Sequence, residues 1–445
     1  MRIVFPLLVS LGLGILVLAQ TAQPPGGTPE PAPAPAKPLA PKVPIAWKAG
    51  TSSVVVTPEK MLWMAGYAGR NKPAEGKVQD LFAKALALED EAGGRFVFVT
   101  MDLIGVPQVI RHNVADRALK DFKLPVERLL MNASHTHSGP SMRTTPSTEK
   151  EANEPRVKDA IEYTKGLEDK LVRIIGEAIS KLEPARITWN KARCGFAMNR
   201  RRDYTLPPDD PFANSAPNPN GPVDQDVPAL RVEAADGTLK AALFGYACHN
   251  TCLGFYNYCG DYAGYAQEYL QENRKGFQAM FLMGCAGDQN PSPRRSGVVP
   301  GVTDLGLAQM HGRSLANAVE MAISANPRPV LGPIKAAYEE IKLDYANNKR
   351  ASHDYPVQVI KLGDTLEIVA LGSEVVVDYS LRFKKELAGK APIWVAGYSN
   401  DYTGYMPSLR IQKEGGYEAA AGWAEDVEER IARKVHEFHA KLGGN

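Results

Sequence analysis

The chain has 445 residues, 44% of them hydrophobic, with 52 Lys+Arg against 50 Asp+Glu. A net charge of +2 supplies no field to gather nucleic acid or a strongly acidic partner, so nucleic acid is not expected to bind. The apolar content excludes wholesale disorder, and the length suffices for one large core or two intimate domains.

Met1-Arg2 is basic, and Ile3 to Ala19 is uncharged and mostly apolar. This is the pattern of a secretory signal over residues 1–22, with small-residue cut sites after Ala19 or Ala22. The competing reading is an uncleaved anchor, for which 17 positions fall short of a span of about 20 residues. No Cys follows the apolar run, so a bacterial lipid anchor is not indicated. Nine of the 34 prolines lie between Pro24 and Pro44. Residues 23–44 are therefore expected to form an extended polyproline spacer without chemistry of its own. Residues 45–445 carry no repeat and no low-complexity break, and are read as one folded body.

Within that body, apolar runs alternate with helical spacing. Strands are expected over 95–101, 128–134, 239–248, 278–283 and 366–371. Helices are expected over 106–122, 151–182, 261–274, 305–325 and 418–442. The alternation predicts an α/β fold of mixed β-sheets with flanking helices. Polar residues gather just past the strand ends: Asp102, His135, His137, His249, Asp288 and Glu374. Strand ends are where α/β folds build their sites.

Ser134-His135-Thr136-His137-Ser138-Gly139-Pro140 is the most informative stretch. Histidines at i and i+2 on a strand face one side, so both imidazoles can serve one site. His249 adds a third nitrogen from a second strand, a donor set that suits Zn²⁺. Read singly, these residues are also compatible with a polar loop and a hydrogen-bonded histidine. Glu374 alone reads as a helix-start carboxylate, and Tyr402, Tyr405 and Tyr417 as surface aromatics. Five cysteines are present, of which Cys248, Cys252 and Cys259 surround His249. Their spacing does not suit a structural zinc knuckle, and a local disulfide or buried thiols is expected instead.

These residues resemble the N-terminal catalytic domain of the neutral/alkaline ceramidases. SHTHSGP at 134–140 is similar to that family's signature, as are MLWMAGYAGR at 61–70, AEG at 74–76 and Asn199-Arg200 within 192–202. The resemblance runs from about Pro44 to Ala420. It implies a Zn²⁺ cofactor held by His135, His249, Glu374 and Tyr405, with Tyr402 the alternative tyrosine. It further implies His137 as an acid/base or substrate-binding group, Arg200 as a substrate anchor and Tyr417 as a supporting tyrosine.

Two departures stand out. The family's catalytic serine sits in G-D-x-S-P, where this chain has Gly287-Asp288-Gln289-Asn290-Pro291, and Ser292 lies two positions further on. The family's longer members also add a C-terminal β-sandwich, and none is expected within residues 45–445. The activity implied is hydrolysis of an N-acyl amide in a lipid or other small molecule by zinc-activated water, with room for peripheral contact with a membrane. Asn290 would then donate to the oxyanion. The alternatives are a zinc esterase or amidase acting on cell-wall or glycan substituents, and a non-catalytic binding protein on the same scaffold. A metal-free serine hydrolase using Ser134 or Ser138 lacks a G-x-S-x-G elbow.

Overall fold

Side chains alternate between two faces along the central strands, and this alternation sets the layers. The computed structural model describes residues 43–443 apart from 208, 211–212, 214–216, 296, 326 and 347–349. The expected signal segment, and the spacer up to Lys42, lie outside the described residues. No helix among the described residues is long and apolar enough to cross a membrane.

The larger sheet is built from Trp47–Val55 (β1), Phe82–Asp90 (β2), Arg95–Met101 (β3), Leu129–Ala133 (β4), Glu183–Arg193 (β5), Asp226–Ala234 (β6), Leu239–Tyr246 (β7) and Gln278–Met283 (β8). Their spatial order is β8-β7-β6-β5-β1-β2-β3-β4. β3 and β4 pair in parallel, as do β7 and β8. The second sheet orders Ile334–Leu343 (β9), His353–Leu362 (β10), Leu366–Leu371 (β11) and Ile393–Ala396 (β12), with β11 and β12 parallel. The helices are Gln108–Phe122 (α1), Pro155–Ser180 (α2), Asp261–Gln271 (α3), Asp304–Ser324 (α4), Val377–Glu386 (α5), Leu409–Glu414 (α6) and Val427–Lys441 (α7).

Leu86, Leu88, Phe96, Phe98, Met280 and Leu282 face Ile360, Leu362, Ile368 and Trp394 in the core between the sheets. The alternate residues Ala83, Ala85, Val97 and Val99 turn the other way, against α1 and α2. Ala279, Phe281 and Met283 likewise meet α3 and α4, while α5 to α7 cover the outer face of the second sheet. Fully buried Leu or Phe side chains contribute about 1.5–3 kcal/mol each by leaving water. The expected α/β class with mixed sheets and flanking helices is what forms, arranged as helix, sheet, sheet, helix.

Three parallel pairs place their strand ends together, and Asn132 of β4 ties these ends to one another. Its Oδ1 accepts from Met283 N of β8 at 2.8 Å, and its Nδ2 donates to Gly397 O, just past β12, at 2.7 Å.

Three expected elements differ in detail. The helix over 151–182 starts only at Pro155, because proline fits a first helical position and a separate short turn precedes it. The helix over 418–442 is broken: Gly422 adopts φ +71°, which ends the turn at Tyr417–Ala419 before α7 begins. The strand over 239–248 stops at Tyr246, which leaves His249 in the following loop. All five cysteines are free and buried, so the buried-thiol reading of that cluster stands.

Candidate metal centre

His135 lies two residues past β4 at φ +58°, a backbone region that non-glycine residues seldom occupy. The extended geometry expected there is therefore absent, yet the two imidazoles still meet, with His135 Nε2 and His137 Nε2 3.0 Å apart. The turn needs room beside it. Gly66, at φ +95°, backs onto the His137 ring, which any side chain at that position would strike. Ser373, just before Glu374, and Tyr398, past β12, also hold positive φ, at +65° and +50°. Asn400 (φ +63°) anchors the loop carrying the tyrosines: its Oδ1 accepts from Arg111 Nε at 2.9 Å and from Met131 N at 3.0 Å.

The loops after β4, β7, β11 and β12 bring His135, His249, Glu374 and Tyr405 to one point. Glu374 Oε2 is 3.3 Å from His135 Nε2 and 3.2 Å from His249 Nε2. The Tyr405 hydroxyl is 3.4 Å from His249 Nε2, and the Tyr402 hydroxyl donates instead to Glu374 Oε1 at 3.2 Å. His135 Nδ1 donates to Ile104 O and His249 Nδ1 to Ala286 O, both at 2.6 Å. Those carbonyls fix the tautomers and leave both Nε2 lone pairs facing inward. Two inward lone pairs thus face a carboxylate oxygen that has no hydrogen-bond donor among the described residues. Such a buried, acceptor-only cluster is costly unless a cation sits within it. Donors about 2.0–2.1 Å from a tetrahedral ion stand roughly 3.3–3.4 Å apart. The observed spacings of 3.2, 3.3 and 3.4 Å therefore fit a shared ion. The imidazoles of His135, His137 and His249 also offer nitrogens within 4.8 Å of one another, so they could hold a metal ion.

The electrostatics agree with that donor set. Burial lowers the His249 imidazole to about 3, and burial and the neighbouring imidazoles push His137 well below the usual histidine range. Both rings are thus neutral ligand-type imidazoles. His137 Nδ1 is buried against Gly66 without a partner among the described residues, so its Nε2, 3.0 Å from His135 Nε2, is the nitrogen that faces the centre.

The other expected residues form a second group. Arg200 Nε donates to Glu418 at 2.9 Å, and its guanidinium lies 5.3 Å from the Tyr405 ring and 5.8 Å from that of Tyr417. Burial would lower the Arg200 pKa, but Tyr405 and Glu418 raise it, so the cation persists. Tyr417 touches the Tyr405 ring at 5.1 Å and is 70% exposed, which sets it at the rim. Asn290 lies on a short strand paired with Ala197–Asn199. Its Oδ1 accepts from Arg200 Nη1 at 3.5 Å, which leaves the Nδ2 donors for another acceptor. Asp288 is buried and receives Val377 N at 2.8 Å and Asn199 Nδ2 at 3.0 Å, so it braces this loop against α5. Burial raises its pKa to about 6.

Sequence reasoning missed Tyr398, which is fully buried with its ring 4.6 Å from that of His135. It missed the two anchoring carbonyls as well, for which side-chain identity carries no signal.

Fold and site together define an α/β protein with a metal-competent histidine cluster at its strand ends. Comparison with protein families matches residues 48–293 to the neutral/alkaline non-lysosomal ceramidase N-terminal domain. That span is more than half of the chain, and the chain belongs to this family of amide hydrolases. Among solved structures, a neutral ceramidase from Pseudomonas aeruginosa is similar, with a TM-score of 0.73, 19% identity, and coverage of 87% of this chain and 73% of that one. A second, described as ceramidase complexed with C2, gives a TM-score of 0.73 at 18% identity and covers 90% of this chain and 76% of that one. At such identities the likeness speaks for the fold. Comparison with curated proteins finds no match.

Proposed function

We propose that the chain is an exported, zinc-dependent hydrolase that cleaves the amide bond of an N-acyl lipid or related small molecule. The observation that carries this reading is Glu374 Oε2, without a donor and within 3.3 Å of two inward-facing imidazole nitrogens. His135, His249, Glu374 and Tyr405 would hold the ion. Tyr405 is preferred over Tyr402 because its hydroxyl approaches His249 Nε2, whereas Tyr402 orients the carboxylate. A zinc ion bound there supplies Lewis acidity to a carbonyl and lowers the pKa of water to about 7. His137, neutral and with its Nε2 at the centre, accepts a proton from the attacking water and passes it to the leaving amine. Asn290 turns its amide donors toward the developing oxyanion while Arg200 holds its carbonyl oxygen. With Asn290 at the family's serine position, no hydroxyl nucleophile is needed, and water takes that role.

The test pairs metal analysis of the purified protein with hydrolysis of N-acyl substrates in the presence and absence of chelator. Stoichiometric zinc and chelator-sensitive amide cleavage are expected. A wild type that holds no zinc, or a His135→Ala/His249→Ala variant that retains it fully, refutes the site.

A further inference from the structure

Three guanidiniums crowd the His137 side of the candidate centre, and none has an ion-pair partner among the described residues. Arg70 donates to Ala65 O, to His137 O at 2.6 Å and to Phe255 O at 3.0 Å. Arg295 donates to Thr251 O at 2.9 Å, Cys252 O at 2.5 Å and the Tyr67 hydroxyl at 3.0 Å. The Tyr67 ring lies 4.7 Å from the His137 ring, with the Arg70 and Arg295 guanidiniums 4.8 and 5.7 Å from its centre. The carboxylate whose field reaches Arg295 is that of buried Asp261, whose oxygens are taken by Leu253 N at 2.9 Å and Tyr262 N at 2.6 Å.

Arg294 differs from its two neighbours. Only its Nε is engaged, donating to Thr251 O at 3.2 Å, two residues past His249. Both terminal nitrogens donate to nothing among the described residues. Arg70 and Arg295 are thus spent on fixing loops, while Arg294 keeps its outer edge free. Half-buried cations without counter-ions are unfavourable until an anion arrives. A guanidinium edge with two parallel donors matches the two oxygens of a carboxylate or a phosphate.

We infer that Arg294 anchors an oxyanion of the substrate beside the candidate metal centre, so that the chain takes N-acyl compounds bearing a carboxylate or phosphate near the amide rather than neutral lipids. This deepens, and rests on, the N-acyl hydrolase reading above.

The experiment is calorimetric titration of the full zinc-loaded protein with three probes sharing one acyl chain: N-lauroylglycine, N-lauroylethanolamine phosphate and neutral N-lauroylethanolamine. At least one anionic probe should bind about tenfold or more tighter than the neutral one, as charge-assisted hydrogen bonds exceed neutral ones. The two anionic arms separate carboxylate from phosphate recognition. In Arg294→Gln the gap should shrink to about twofold while the zinc content stays unchanged. Equal affinity for anionic and neutral probes in the wild type, or a gap that survives Arg294→Gln, overturns the inference. Turnover of the same probes, measured separately, reports on the hydrolase reading. Anion-selective binding without turnover would support the anchor while sinking the hydrolase, and turnover without anion selectivity would do the reverse.

Discussion

Stripping the metal should weaken the fold by an amount that can be set beforehand. The ion proposed here would be the positive charge between His135, His249 and Glu374, whose inward atoms are otherwise acceptors only. Free zinc at about 1,000 times its dissociation constant stabilises the folded state by roughly 4.1 kcal/mol. Unfolding about 400 residues at about 2.1 cal/mol/K each changes the entropy by roughly 0.8 kcal/mol/K. Chelation should therefore lower Tm by about 5 °C, and restoring zinc should reverse the shift. Differential scanning calorimetry of the protein with and without chelator measures this, with the His135→Ala/His249→Ala variant as control. That variant should show no chelator response. A wild-type Tm indifferent to chelator, or an equal response in the double variant, refutes the reasoning.

The other expectations concern pH, the two tyrosines and Asn290. Burial holds His249 at about 3 in the folded chain, below its ordinary 6.5, so protons favour the unfolded state once pH falls below 6.5. Between pH 6.5 and 5 this costs the metal-free protein about 1.6 kcal/mol, a loss that His249→Ala should lack when denaturant unfolding is followed at both pH values. Tyr405→Phe should weaken zinc affinity about 10- to 100-fold in a competition titration, whereas Tyr402→Phe should keep its zinc stoichiometry; the reverse order would transfer the ligand role to Tyr402. Asn290→Ala should lower kcat about 10²- to 10³-fold with little change in KM, and unchanged kinetics would remove Asn290 from the oxyanion role.

The site was legible where chemistry sits in side chains on strongly patterned strands. The apolar runs ending near His135 and His249 placed both rings at strand ends, and the Gly-Ser turn before Glu374 did the same for the carboxylate. The reason given for the pairing of His135 and His137 differs from the observed one. The expected strand face is in fact a left-handed turn at His135, a backbone feature that side-chain spacing does not encode. The strands β1, β2, β5, β6, β9, β10 and β12 went unread. β2 is Phe-Ala-Lys-Ala-Leu-Ala-Leu-Glu-Asp, an alanine-rich stretch whose propensity favours helix, and it becomes a strand because both of its faces are covered by packing. Asn132 was hidden for a related reason. Its value lies in joining β4 to β8 and to the Gly397 carbonyl, far apart in the chain. Arg294 and Arg295 gave no signal because an arginine pair after a proline usually reads as solvated surface, and only the folded chain shows that they have no ion-pair partner among the described residues.

The measurement closest to the central claim is anomalous diffraction at the zinc absorption edge from crystals of the purified protein. The account predicts one strong peak within bonding distance of His135 Nε2, His249 Nε2, Glu374 Oε2 and the Tyr405 hydroxyl. Zinc-grown crystals with no peak there, or with the ion bound by another set of side chains, would contradict it.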